Sequence, residues 1–271
     1  MTTEKMTRSW LSRTTLVLLL AGLAACAPQF SGRDDNPTSE NDAPAIDVGL
    51  QDEELEEGFD ADSEENIRRA EQEIAEQFGD SEAISIEGEM AEALATSYSH
   101  LDPKKVIRPA LLQKALAYFD KNKSKFANKS YITVVDFQRN SSSARFHVVN
   151  MTSGVVQSYY VAHGKGSDSN NDAYAEKFSN VSGSGASSIG PVKVAEIYSG
   201  KYGRSVRIDG LASTNSNMRR RAVVIHGSNY VKNSAVKQGR SLGCFALPMA
   251  QKDAIITKIN GGSLLYADQV K

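Results

Sequence analysis

The chain has 271 residues, 40% of them hydrophobic, which is enough apolar material to bury a core; a wholly disordered or collagen-like protein is excluded. A formal charge of −2 conceals two opposed regions. Positions 27–92 carry 22 acidic residues against three basic ones (Arg33, Arg68 and Arg69), a net −19, whereas positions 93–271 carry 25 basic against 10 acidic residues, a net +15.

At the N-terminus Lys5, Arg8 and Arg13 precede an apolar run from Leu16 to Leu23, followed by small residues before Cys26. A basic start, a short apolar stretch and a small-residue cleavage site form a secretory signal, predicted over 1–25. The run is shorter than the roughly 20 apolar residues of a membrane-spanning helix. Leu23-Ala24-Ala25-Cys26 resembles the cleavage site of bacterial lipoproteins. That resemblance implies a lipid on Cys26, which would anchor the protein to a membrane; the alternative is an ordinary cleavable signal with an incidental cysteine. Ala27, in place of an aspartate, favours the periplasmic face of the outer membrane. With Cys26 acylated, Cys244 has no disulfide partner left in the chain. A free thiol in an oxidising compartment is a liability unless it is buried or used.

Residues 26–92 read as an acidic, mostly disordered tether. Pro28, Pro37 and Pro44 interrupt a polar stretch up to about Glu57 that has no apolar periodicity. Between Asp62 and Gly79 the spacing of Ile67, Ala70, Ile74 and Phe78, with Ser63 ahead and Gly79 behind, predicts a short, mostly exposed helix. The acidic run is either a solvated spacer or a cover for the basic region. Residues 93–271 form the folded domain. Leu112, Ala115, Leu116 and Phe119 mark an amphipathic helix after Pro109. Strands are expected at Tyr131–Phe137, Arg145–Asn150, Val155–Val161, Val192–Ile197, Ser205–Ile208, Ala222–His226 and Ser263–Ala267. A last helix is expected from Pro248 through Ile255, Ile256 and Ile259, closed by Gly261. The fold class is α+β, predominantly β, a mixed sheet with flanking helices. The segment from Gly164 to Gly190 is long, irregular and rich in Gly, Ser and Asn, which points to function or mobility. It lacks a Walker-type Gly-Lys-Ser/Thr ending, so nucleotide binding is discounted and no cofactor is expected.

Val223-Val224-Ile225-His226-Gly227 is an apolar strand ending in His-Gly, and Ser241 of Gly239-Arg240-Ser241-Leu242-Gly243-Cys244 follows Gly227 by 14 residues. A thiol is a strong nucleophile as thiolate, and an imidazole can take its proton. Gly243 lets the backbone turn sharply, expose the sulfur and aim N–H groups at an oxyanion. His163, at the end of another apolar strand, is either a structural residue or part of a substrate cleft.

The motif resembles that of the murein L,D-transpeptidase catalytic domain family, cysteine transpeptidases that place His-Gly at a strand end and Ser/Thr-His-Gly-Cys downstream. The likeness runs from about Tyr98 to Asp268 and includes Val161-Ala162-His163-Gly164-Lys165-Gly166-Ser167-Asp168, Phe178-Ser179-Asn180 and Arg207-Ile208-Asp209-Gly210-Leu211. It implies that Cys244 attacks the L-centre carbonyl of diaminopimelate in a peptidoglycan tetrapeptide stem and expels D-alanine. His226 would act as base, and the N–H groups of Cys244 and Gly243 would bind the oxyanion. Ser241 would support the imidazole or the donor. A main-chain carbonyl would orient His226, since no carboxylate lies near the motif. An amine of another stem would then resolve the thioester; water in its place would make a carboxypeptidase or amidase. Two positions depart from the family: Leu242 stands for the second histidine, and Ala246 for an arginine thought to hold the donor. Arg240, Lys165 or the triplet Arg219-Arg220-Arg221 could substitute for the latter.

A zinc hydrolase on Cys244, His226 and His163 lacks CxxC, HxH and HExxH spacing, so no metal is expected. A non-catalytic lipoprotein holding anionic envelope polymers by charge is the remaining alternative. Nucleic acid is not expected as a partner, because export and the absence of an aromatic-interleaved basic motif argue against it.

Overall fold

The structure, a computed structural model, describes residues 61–79, 86 and 88–270. The expected signal, the Cys26 lipidation site and the tether over 27–57 lie outside the described residues. Helix α1 (Glu64–Phe78) starts and stops as its sequence predicts: the Ser63 hydroxyl accepts the N–H of Asn66 at 3.2 Å, and Gly79 ends the helix with φ +61°. Its apolar edge is covered, however. Ile67 and Phe78 are buried, and the Phe78 ring lies 5.4 Å from that of Phe126. Its acidic side meets a basic surface, with Asp62 2.8 Å from Arg219, and Glu64 and Glu71 at 3.0 and 2.9 Å from Arg220. The pairs on exposed Arg220 are screened by water and contribute little; the apolar edge of α1 and the part-buried Asp62–Arg219 pair are the better sheltered contacts. Helix α2 (Gly88–Ser97) was not expected; only Leu94 is buried, too little apolar periodicity to register as a helix signal. Helix α3 (Pro109–Asn122) begins with proline in its first turn, where the missing N–H costs nothing.

Among the described residues the strands are β1 (Tyr131–Asp136), β2 (Phe146–Asn150), β3 (Val156–Tyr159), β4 (Gly190–Gly200), β5 (Gly203–Gly210), β6 (Val224–Ser228), β7 (Phe245–Pro248) and β8 (Ser263–Asp268). They form one mixed sheet in the order β3-β2-β1-β8-β4-β5-β6-β7, parallel at β1·β8 and β6·β7 and antiparallel elsewhere. The central strands are covered on both faces. Ile132, Val134 and Leu264 face α3 with Phe119 and Phe126, while Val135, Leu265 and Ala267 face the opposite core with Ile225, Phe245 and the isoleucines of α4 (Lys252–Ile259). Burial on two faces explains why these strands read as apolar runs without alternation.

Pro248 does not open the last helix; it ends β7, and α4 starts four residues later. A proline lacks the N–H that a ladder needs but is tolerated at the end of an outer strand. The exposed side of β7 is covered by the chain leaving β3. Ala162 N–H donates to the Ala246 carbonyl at 3.0 Å, Ser241 N–H to His163 at 2.9 Å, and Lys165 N–H to Ser241 at 2.7 Å. The two ends of the sheet therefore meet at the cysteine motif.

Candidate active site

The parallel pairing of β6 with β7 sets His226 opposite Ala246. Side chains alternate along a strand, and Ile225, Phe245 and Leu247 all enter the main core. His226 and Cys244, the residue just before β7, therefore share the other face, two residues apart in register. With about 3.3 Å per residue and about 4.8 Å between strands, their Cα atoms lie about 8 Å apart along the diagonal, within the combined reach of an imidazole and a thiol. The main-chain carbonyl expected to orient the histidine is that of Gly227, 3.0 Å from Nδ1. A carbonyl only accepts, so Nδ1 carries the proton and Nε2 is left as the basic nitrogen. A Cβ on Gly227 would lie 2.2 Å from the Lys252 side chain and 2.7 Å from the Met249 sulfur, so a larger residue there would displace both side chains.

The turn before the cysteine is held by Ser241, whose buried hydroxyl donates to the Cys244 carbonyl at 2.8 Å and accepts the Gly243 N–H at 3.2 Å. Gly243 has φ +118°, a backbone region that side chains rarely enter, and a Cβ there would meet the Ala186 carbonyl at 2.7 Å. The sharp turn is thus as expected, but the Gly243 N–H is already used by Ser241. Ser241→Ala removes both bonds. It is expected to lower turnover by about 10- to 100-fold, the scale of a misplaced nucleophile, with far-UV circular dichroism unchanged; turnover equal to wild type would contradict the role.

Residues 103–267 match the family described as L,D-transpeptidase catalytic domain. That match covers more than half of the chain. The chain belongs to the L,D-transpeptidase catalytic domain family. A comparison with curated protein sequences finds no match. Among solved structures, an L,D-transpeptidase from Xylanimonas cellulosilytica is similar at 12% identity and a TM-score of 0.32, over 75% of this chain and 93% of that one.

In this transpeptidase domain Cys244 and His226 are closed off from solvent and neutral at rest. Cys244 is 3% exposed and His226 1%, in place of the exposed sulfur that the Gly243 turn suggested. The Tyr202 ring, on the turn from β4 to β5, stacks on the imidazole with centroids 4.4 Å apart, and Leu242 packs toward Gly185. Burial pushes the Cys244 thiol up to about 12 and the His226 imidazole down to about 4. The resting pair is therefore thiol and neutral imidazole, with the thiol 3.7 Å from the Ala222 carbonyl. A cavity of about 1080 Å³ beneath α1, lined by Ile74, Tyr118, Pro191 and Arg219, includes neither Cys244 nor His226.

His147 is likewise buried and pushed down to about 4 by desolvation and then by Arg139. A histidine whose folded pKa lies below its unfolded value of about 6.5 stabilises the fold fully above that pH, and loses the contribution as pH falls toward 4. His147 and His226 should each remove about 1.4 kcal/mol of stability per pH unit across this window. Urea unfolding at pH 7.5, 6 and 5 is expected to show a falling midpoint below pH 6.5. A constant midpoint would contradict the neutral assignment.

His163 lies in a buried chain of polar groups. Arg145, fully buried, donates to its Nδ1 at 2.7 Å, so Nε2–H donates to Asp168 at 3.1 Å. Both ring nitrogens are engaged, which leaves none for a substrate and removes the third ligand from the zinc alternative. Asp168 in turn accepts the N–H groups of Asp172 and Ala173, and Arg240 donates to its carbonyl at 2.5 Å. Arg145, His163, Asp168 and Arg240 thus shape the Gly164–Gly190 segment beside the motif. Ala246 is fully buried with Ala162 and Val231, a place too small for arginine. Of the cations considered in its stead, Arg219 is held by Asp62, Glu196 and Asp209 and Arg220 by α1. Arg221 reaches the cysteine turn. Tyr202 and Arg145 carried no motif signal in the sequence: one is a hairpin-tip aromatic, the other an ordinary cation at a strand start.

Proposed function

We propose that the chain is a peptidoglycan L,D-transpeptidase that works through an acyl-enzyme on Cys244. The observation that carries this reading is the β6·β7 register, which sets His226 and Cys244 on one face with the cysteine turn pinned by Ser241. His226 Nε2 takes the thiol proton as the sulfur attacks the L-centre carbonyl of diaminopimelate in a tetrapeptide stem. A C–S bond forms, and the carbonyl oxygen takes up negative charge opposite the N–H of Cys244, the donor left after Gly243 turns to Ser241. Collapse breaks the amide bond, and the imidazolium returns its proton to the departing D-alanine amine. In the second half an amine from another stem attacks the thioester, His226 accepts its proton, and the proton ends on the released sulfur.

Because both groups are neutral at rest, proton transfer accompanies attack instead of preceding it. Substrate entry moves aside the cover formed by Tyr202 and the Gly185 edge. The dry surroundings of the thioester favour an amine acceptor over bulk water. A signal ending at Cys26 and a lipid on that residue would place the domain at the periplasmic face of the outer membrane, within reach of the polymer. Mass spectrometry of tetrapeptide muropeptides after incubation tests the reaction. Cross-linked dimers are expected; tripeptide alone would assign the hydrolytic alternative, and unchanged substrate would overturn the proposal.

A further inference from the structure

Arg221 lies on the turn before β6, and its Nη2 would be 3.2 Å from a Cβ placed on Gly243. Its guanidinium donates to four oxygens: the Ser179 carbonyl and Ser188 hydroxyl from Nη1, each at 2.7 Å, and the Ser184 hydroxyl and Ala186 carbonyl from Nη2, at 3.3 and 2.6 Å. All four are neutral, unlike the partners of Arg219 and Arg220, which are carboxylates. A part-buried positive charge is costly without an anion, and none of its four acceptors supplies one. The next residue's carbonyl, that of Ala222, is the acceptor of the Cys244 thiol. The anion missing from this arrangement is the one the reaction creates.

We infer that Arg221 is a positioning residue for acyl transfer: it fixes the serine-rich edge of the Gly164–Gly190 segment against the Ser241–Cys244 turn and offsets the negative charge that develops on the sulfur and the tetrahedral oxygen. The inference rests on the thioester reading above. The charged group acting on the sulfur is Arg221 from the turn before β6, which pulls the thiol down against the burial that raises it; His226 shares the face of β6 that Cys244 takes in the β6·β7 register. From the Gly164–Gly190 segment the groups that face the guanidinium are serine hydroxyls and carbonyls. Lys165 lies against Gly185, and Asp168 is turned to His163.

The test is the rate of Cys244 alkylation by iodoacetamide between pH 7 and 10 in the full-length protein, read at the Cys244 peptide, for wild type, Arg221→Gln, Arg221→Lys and Ser188→Ala. Loss of the charge is expected to lower the rate about tenfold at each pH, equivalent to a rise of about one pH unit in the thiol's ionisation, and to lower kcat with little change in KM. Arg221→Lys should recover most of the rate, and Ser188→Ala, which loosens the same segment with the charge intact, should not slow it. A purely structural arginine predicts the opposite sign, since a loosened cover exposes the thiol and speeds alkylation. Arg221→Gln alkylated as fast as wild type or faster would overturn the inference, as would Ser188→Ala slowed to the same extent. Should Arg221→Gln fail to fold, Arg221→Lys decides, a tenfold loss there counting against the inference. Alkylation of the wild type without turnover on muropeptides would overturn the transpeptidase reading while the charge effect is still measured.

Discussion

Cys244→Ala is expected to reduce D-alanine release from a tetrapeptide donor to the uncatalysed background, and His226→Ala to lower it by about 10²- to 10⁴-fold, the usual contribution of a general base. The two losses should not add, because without the sulfur the imidazole has no proton to take. The difference between them follows from the resting state. Burial holds Cys244 as a thiol, raised to about 12, beside an imidazole lowered to about 4, so little thiolate is present at neutral pH to act without the base. The His226→Ala residue of activity should therefore grow with pH, roughly tenfold per unit below the thiol's pKa, whereas the wild type should change less steeply. Measured pH profiles of both proteins check this. A His226→Ala variant with wild-type activity at pH 7 would remove the imidazole from the mechanism.

The largest expected loss of stability comes from Arg145→Met. The guanidinium is fully buried, donates to the carbonyls of Val161 at 3.1 Å and Arg139 at 2.8 Å and to His163 at 2.7 Å, and lies 5.4 Å from the Phe137 ring centroid. Methionine keeps some of the volume and removes all of these bonds. Buried Asp168 then loses the positive charge beyond His163, and breaking such a buried network costs about 3–5 kcal/mol. The effect should reach the site as well, since His163 accepts the Ser241 N–H through its own carbonyl. Urea unfolding of the variant is expected to show a lowered midpoint with a wild-type slope. An unchanged midpoint would mean that the arginine is dispensable.

Much of the architecture was legible in the sequence where a period or a cap marks it. The helix of α3, the capped α1 and the runs of β1, β2, β3 and β8 lie close to where their apolar spacing puts them. The shortfalls have physical causes. Strand β7 has four residues, begins directly after Gly-Cys and ends on Pro248, so it carries too few alternations to register as a strand and its proline suggests a helix start. For the site, His226, Cys244, Gly243 and Ser241 were readable from their spacing, but their mutual register was not, because it depends on a parallel pairing across the whole β6–β7 connection. The carbonyl that orients His226 is that of the following residue, which no side-chain pattern reveals. Burial of the thiol and the docking of α1 on Arg219 and Arg220 are products of tertiary packing. Arg145 looks like any surface cation until the chain from Val161 to Asp168 folds around it.

The central claim is a covalent bond between Cys244 and the donor stem. Intact-mass spectrometry of the full chain, quenched in acid shortly after mixing with a disaccharide tetrapeptide, measures it directly. The account predicts an added mass equal to the donor less D-alanine, located on the Cys244 peptide and lost with Cys244→Ala. Turnover of the donor with no adduct on Cys244, or an adduct that persists in Cys244→Ala, would contradict it.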